Sequence, residues 1–182
     1  MRLFIGIPLP SVVTGELAAL SARLRSADDG LRWSSPESWH ITLQFLGNAD
    51  PEQCECIVSR LHNLRYSPIA IAFDGLDFFG TGNVLIAGVR TTPELLELQR
   101  HVTKATGPCG FISDSRAYHP HVTLSRGNGK RNAILLRGLA GRSGHETTLL
   151  AFNAEEFVLY ESVLGPSGAR YEIRKRFPLY KR

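Results

Sequence analysis

Cysteine is scarce in these 182 residues: Cys54, Cys56 and Cys109 make an odd set with one close pair. That count indicates neither a disulfide framework nor a cysteine-rich metal site, and a reduced, cytoplasmic protein is expected. Long apolar runs are missing too, none approaching the roughly 18 residues a membrane span requires. The opening MRLFIGIPLP is too short in its apolar part for a signal peptide and has no small-residue cleavage pattern behind it; it reads as a first strand. No linker rich in Pro, Gly or Ser divides the chain, so residues 1–182 are expected to form one rigid body. Acidic residues are absent between Asp114 and Glu146, a stretch holding Arg116, Arg126, Lys130, Arg131, Arg137 and Arg142. Clustered cations suit an anionic partner such as a phosphate or nucleic acid. The tail adds Arg170, Arg174, Lys175, Arg176, Lys181 and Arg182 around Glu172, for which a solvated surface is an equally good reading.

What is present is ordinary for a soluble globular chain, at 43% hydrophobic and 21% charged residues. Leu3 to Ile7 reads as a strand stopped by Pro8 and Pro10. Val13, Leu17, Leu20 and Leu24 mark a helix face, with Ser11 as N-cap and Asp28-Asp29-Gly30 as its end. Pro51 opens a second helix with a stripe of Cys54, Ile57, Val58, Leu61 and Leu64, and Pro93 a third with Leu95, Leu98 and Val102. Ile69 to Phe73 and Leu76 to Phe79 read as strand, turning at Gly80 to Asn83 into Val84 to Val89. A short helical piece is expected around Ala133 to Leu139. Antiparallel strands are expected over Thr147 to Phe152, Glu156 to Leu164 and Arg170 to Phe177, the last two joined through Gly165 to Gly168.

Two segments share one pattern: HITLQFLG from His40 and HVTLSRGN from His121, 81 residues apart. In a strand, successive side chains point to opposite faces. His40 and Thr42 therefore share a face opposite Ile41 and Leu43, and His121 and Thr123 repeat this against Val122 and Leu124. Ile5 precedes His40 by 35 residues and Ile86 precedes His121 by 35, which supports an internal duplication. The expected fold is α+β and bilobal: two antiparallel β-sheets with helices on the outer faces, related by a pseudo-two-fold, with a central cleft. The repeat halves run over about 3–65 and 84–140, and strands within 147–178 complete the sheets.

Two such faces suit metal-free chemistry at a phosphodiester. Histidine gives and takes protons near neutral pH, so one imidazole can protonate a leaving oxygen while the other deprotonates water. Each threonine hydroxyl can bond a non-bridging phosphate oxygen and stabilise charge that grows in the transition state. Taken singly, either histidine would more often be structural; the duplicated pair points to catalysis. His119 and His121 form a His-x-His that can chelate zinc or copper, yet no carboxylate or cysteine stands at a third-ligand spacing. No metal or other cofactor is therefore expected. Trp33, Trp39 and Tyr118 are candidates to stack on a terminal base, with packing the commoner job for the tryptophans. His62, His101 and His145 read as surface residues.

The segments RLFIGIPLP, RWSSPESWHITLQFLG and YHPHVTLSR resemble the 2H phosphoesterases, and within them the RNA 2′,3′-cyclic phosphodiesterase branch, also called 2′-5′ RNA ligases. The resemblance spans the chain nearly end to end. It implies a bilobal α+β fold and metal-independent hydrolysis of terminal 2′,3′-cyclic phosphates to 2′-phosphates. It implies His40 as proton donor to the departing 3′-oxygen, His121 as acceptor from water, and Thr42 and Thr123 as phosphate binders. Arg126, at a position after the second motif where the family often carries a basic residue, is implied as a further phosphate binder; strict alternation points it away from His121, so its role depends on the strand ending there, and Phe45 holds the equivalent place in the first motif, so the half-sites are not identical. Tyr118 and His119 are expected at the base or the cleft edge. RNA with 2′,3′-cyclic phosphate ends, or small cyclic nucleotides, would be the partner of a monomer off the membrane. Reversible RNA ligation to a 2′-5′ linkage is a further reaction open to the same groups. A non-catalytic RNA-end binder using the same basic cleft, and a metal hydrolase using His119 and His121, are the competing readings.

Overall fold

A computed structural model describes residues 1–79, 83–112, 116–143, 145–165 and 168–180. The elements are β1 (Arg2–Pro8), α1 (Ser11–Leu24), β2 (Arg32–Trp33), β3 (His40–Asn48), α2 (Pro51–His62), β4 (Ile69–Phe79), β5 (Val84–Val89), α3 (Pro93–Thr106), β6 (His121–Arg126), α4 (Gly129–Ser143), β7 (Ala151–Ala154), β8 (Glu156–Gly165) and β9 (Gly168–Pro178). They build two antiparallel sheets, one in the order β3-β1-β8-β9 and the other β2-β6-β5-β4-β7. The α+β class and paired sheets expected from the sequence are what the chain forms. No helix among the described residues is long and apolar enough to cross a membrane.

The duplication is visible in the pairing. Phe4 pairs with Phe45, Ile5 with Gln44, Gly6 with Thr42 and Pro8 with His40. In the other sheet Val84 pairs with Arg126, Leu85 with Ser125, Ile86 with Thr123 and Gly88 with His121. The opening strands are thus offset by 80 residues and the polar strands by 81. Ile5 therefore corresponds to Leu85 rather than to Ile86, and the connection between opening and polar strand is one residue longer in the second half.

One apolar core runs beneath both sheets. It takes Leu3, Ile5, Ile7, Ile41 and Leu43 from one and Leu85, Ala87, Val122 and Leu124 from the other, with Leu17, Ile57, Leu61, Leu95, Leu98 and Val102 from the helices. The stripe of α3 is buried as its spacing predicts; in α2 only Ile57 and Leu61 are fully buried. Caps differ from expectation. Ser11 lies inside α1, because extended Pro10 takes the N-cap position, and the helix ends at Leu24, before Asp28. The Asp50 and Gln53 side chains form a capping box on α2, and Thr92 accepts from the Leu95 N–H at the start of α3.

Ile69–Phe79 is one strand with a register shift between Phe73 and Gly75, where two strands were expected. Helix α4 is longer than the short piece expected, and Thr147 to Leu150 are not strand. The expected turns at Gly80 to Gly82 and at Pro166-Ser167 lie outside the described residues. Three of the tail cations are matched by acids: Arg170 with Glu172, Arg174 with Glu161 and Arg176 with Glu156; Lys181 and Arg182 lie outside the described residues.

The cysteines correct the sequence reading. Cys56 on α2 is joined to Cys109, in the 3₁₀ turn after α3, across 53 residues, and Cys54 is free. The two helices pack together, so thiols remote in sequence meet in space. A cross-link over such a span restricts the unfolded chain and contributes about 2–4 kcal/mol. Urea unfolding with and without reductant is expected to differ by that amount, and Cys56→Ala should abolish the difference.

Candidate active site

Both polar strands carry the same irregularity. The register shifts between Ile5 and Gly6 on one side and between Leu85 and Ile86 on the other, so Leu43 and Leu124 are extra residues in their strands. Such a bulge resets the alternation of side chains. Burial follows: His40 and His121 half-buried, Ile41 and Val122 buried, Thr42 and Thr123 half-buried, then two consecutive buried residues, then an exposed one. The inward polar residues are bonded. The Thr106 hydroxyl donates to the Gln44 side-chain oxygen at 2.8 Å, and the Ser125 hydroxyl donates to the Arg32 carbonyl at 3.3 Å. Arg126 is therefore brought back to the face of His121 and Thr123, contrary to strict alternation, and Phe45 takes the same place beside His40 and Thr42.

The histidines are held alike. The His40 Nδ1–H donates to the Ser38 carbonyl at 2.8 Å, and the His121 Nδ1–H to the His119 carbonyl at 2.7 Å. A carbonyl can only accept, so each neutral ring carries its proton on Nδ1 and leaves the Nε2 lone pair free. At His40 the Thr42 hydroxyl donates to that lone pair at 3.0 Å. Rings fix the imidazoles: His40 lies 4.6 Å from Phe4 and 5.3 Å from Tyr171 between centroids, and His121 lies 5.0 Å from Phe79. Gly6 sits in a tight place in this packing. A Cβ there would come within 3.0 Å of the Ile41 carbonyl oxygen and 3.1 Å of His40 Cδ2.

Strands β3 and β6 approach one another. Burial pulls the His40 pKa down to about 4, and the charge His121 can carry pushes the same way, against the bond to Ser38. His121 is lowered first by burial and then by the charges of Arg126 and His119, against its bond to the His119 carbonyl. The folded protein thus prefers both rings neutral. Between the unfolded value near 6.5 and about 4 for His40, the unfolded chain binds protons that the folded chain does not. Stability is expected to fall as pH drops through that window, and His40→Phe should flatten part of the slope in urea titrations at successive pH values.

The remaining expected residues divide. Tyr118 is half-buried, and its hydroxyl donates to the Thr42 carbonyl at 2.9 Å, tying the segment before β6 to β3; burial raises its pKa. His119 is exposed and faces Phe79 at 6.4 Å. Trp39 is buried, and the Trp33 indole N–H donates to Asp29 at 2.9 Å. In the basic run, Arg137 lies over the Phe78 ring and Arg131 lines a groove with Asp28 and Asp29, a lining that includes neither His40 nor His121. His62 and His145 are exposed, and His101 packs on Tyr66. Among the described residues no group of three or more His, Cys, Asp or Glu could hold a metal ion, and the Nδ1 of His121 is already engaged. Sequence reasoning did not find the bulges, the carbonyl anchors, Gly6 or the face that Phe45 takes. A signal for the bulges was present: Gln44 and Ser125, polar residues at matched positions, directly follow the last core leucine.

A family model described as LigT-like phosphoesterase matches residues 7–86. The RNA 2′,3′-cyclic phosphodiesterase of Bacillus subtilis is 30% identical over 94% of this chain and 93% of its own length. The protein of that name from Geobacillus stearothermophilus is 30% identical over 97% of this chain, which spans only 56% of that relative. Escherichia coli LigT, in its crystal structure with 3′-AMP, superposes with a TM-score of 0.80 at 22% identity, over 99% of this chain and 98% of that one.

Proposed function

Because the chain belongs to the LigT-like phosphoesterases, we propose that it hydrolyses the 2′,3′-cyclic phosphate at an RNA end to a 2′-phosphate, without a metal ion. The observation that carries this reading is the paired imidazoles, each anchored through Nδ1 to a carbonyl two residues back, each with Nε2 as its unprotonated nitrogen and a threonine two residues on. Relatives across nearly the whole chain carry the name of that activity.

In this mechanism His121 Nε2 takes a proton from water as the water oxygen bonds to phosphorus. The bond from phosphorus to the 3′-oxygen breaks on the opposite side, and protonated His40 gives its Nε2 proton to that oxygen. His40 is neutral in the free protein, so the phosphate's negative charge supports the protonated form. Once Nε2 carries a proton it no longer accepts from Thr42, and the Thr42 hydroxyl is released to a non-bridging oxygen. Thr123 serves the other side, and Arg126 adds positive charge. With the 5′-hydroxyl of a second RNA end attacking phosphorus in place of water, and the 3′-oxygen again leaving with the proton from His40, the same groups in the same roles join RNA ends through a 2′-5′ linkage.

The test is an oligoribonucleotide ending in a 2′,3′-cyclic phosphate, incubated with the protein and EDTA. A 2′-phosphate is expected as product, at a rate the chelator leaves unchanged. Loss of activity in EDTA would point to a metal hydrolase, and salt-sensitive binding without product would point to an RNA-end binder.

A further inference from the structure

We propose that Thr106 and Gln99 of α3 are positioning residues for the reaction: they hold the bulge of β3 in register, and through it keep the Thr42 hydroxyl in place beside His40. This rests on the cyclic phosphodiesterase reading. β3 is the outermost strand in its sheet, so its outer edge presents backbone groups that no strand pairs among the described residues. The bulge adds to this. Leu43 falls between Thr42, paired with Gly6, and Gln44, paired with Ile5, and has no partner of its own on β1. Side chains from the second half of the chain, including α3 where it packs against β3, supply what a strand would. The Tyr118 hydroxyl donates to the Thr42 carbonyl at 2.9 Å, the Gln99 side-chain amide to the Leu43 carbonyl at 3.4 Å, and the Thr106 hydroxyl to the Gln44 side-chain oxygen at 2.8 Å. The Thr103 carbonyl lies farther from that last hydroxyl, at 3.1 Å. Thr106 and Gln44 are both buried.

The other half meets the same need with backbone. β6 also has a bulge residue, Leu124, but β2 lies along its outer edge. There the Ser34 N–H donates to the Leu124 carbonyl at 2.9 Å, and the Ser125 hydroxyl donates to the Arg32 carbonyl. Each bulge is therefore held by the other half of the chain, Leu124 by β2 and Leu43 by α3. The braces differ in kind. A backbone bond survives any side-chain substitution, whereas the bonds from Gln99 and Thr106 can each be deleted by one. Slippage by one residue turns a strand's side chains to the opposite face, and misplacement of a reacting group by about an ångström can cost about 10²-fold in rate. Thr42 is the residue at risk, since it directly precedes the bulge and donates to His40 Nε2. Gln99 and Thr106 lie on α3, off both His/Thr faces, so what they contribute to rate passes through Thr42.

The test follows hydrolysis of a nucleoside 2′,3′-cyclic phosphate by Thr106→Val and Gln99→Met, which keep the shape of the side chain and remove its donor. Each is expected to lower kcat by about 10- to 10²-fold with KM changed much less, and Thr106→Ser should restore the rate. Double variants separate positioning from a general loosening of the fold. In a Thr42→Val background Gln99→Met should cost nothing further, because the hydroxyl it positions is gone. In a Thr123→Val background it should cost its full factor. Equal factors in both backgrounds, or single variants with wild-type kcat, would overturn the proposal. If Thr106→Val does not fold, Gln99→Met alone decides the matter. The nitrogen NMR resonance of His40 Nε2, in protein without substrate, gives a readout independent of turnover. It senses the bond from Thr42, so Gln99→Met should move it as Thr42→Val does, and Thr123→Val should not. That movement in a protein that hydrolyses no cyclic phosphate would remove the activity and keep the brace. An unmoved resonance with unchanged kcat in an active enzyme would remove the brace and keep the activity.

Discussion

Alanine at His40 or at His121 is expected to lower kcat for cyclic phosphate hydrolysis by about 10²–10⁴-fold each, the usual worth of one positioned acid or base. The double variant should be little worse than the poorer single one, because a proton donor is of small use without its acceptor. His121 gives the cleaner experiment: its ring packs on Phe79, whereas His40 is enclosed by Phe4, Tyr160 and Tyr171, so that His40→Ala also opens a gap among aromatic rings. His40→Asn fills more of that space and should be equally inactive. Urea unfolding of each variant separates loss of chemistry from loss of fold. Either alanine variant retaining a tenth or more of wild-type turnover would remove that imidazole from the mechanism.

Thr42→Val and Thr123→Val are expected to cost about 10²–10³-fold in kcat each, the range for deleting one donor to a developing oxyanion. Valine keeps the branched shape and strand preference of threonine, so the fold should not respond, while serine at either position should restore most of the rate. The two should nevertheless differ. Thr42 also donates to His40 Nε2, a bond that favours the neutral ring. Thr42→Val should therefore raise the pKa of His40 as well as slow the reaction, visible as a displaced acid limb of kcat/KM against pH, and Thr123→Val should not move that limb. Valine variants with wild-type rates would exclude the hydroxyls as phosphate ligands.

Much of this was legible because it depends on short-range periodicity. Alternation alone puts His40 with Thr42 and His121 with Thr123, and helical spacing alone marks Leu95, Leu98 and Val102. What escaped depends on partners distant in the chain. The bulges exist because β1 and β5 pair with β3 and β6 out of step, and no single strand announces that. Strict alternation left the facing of Arg126 open, and Phe45 was legible only as the unlike residue at the equivalent place; the bulges set the face of both. Cys56 and Cys109 meet only because α2 packs on α3. Tyr118 reads as a free aromatic until Thr42 is found beside it. The repeat was recognised from Ile5 and Ile86, and only strand pairing corrects the match to Leu85.

A duplicated site with equal halves would have no preferred direction. Substrate could lie in it either way round, and opening of the ring would release a mixture of regioisomers. The halves of this chain are not equal: on the His/Thr faces Phe45 stands where the second strand has Arg126, and Gly6 is paired with Thr42 where Ile86 is paired with Thr123. On the proposed reading, such a difference between the halves, rather than the proton transfers themselves, selects which ester bond is cut.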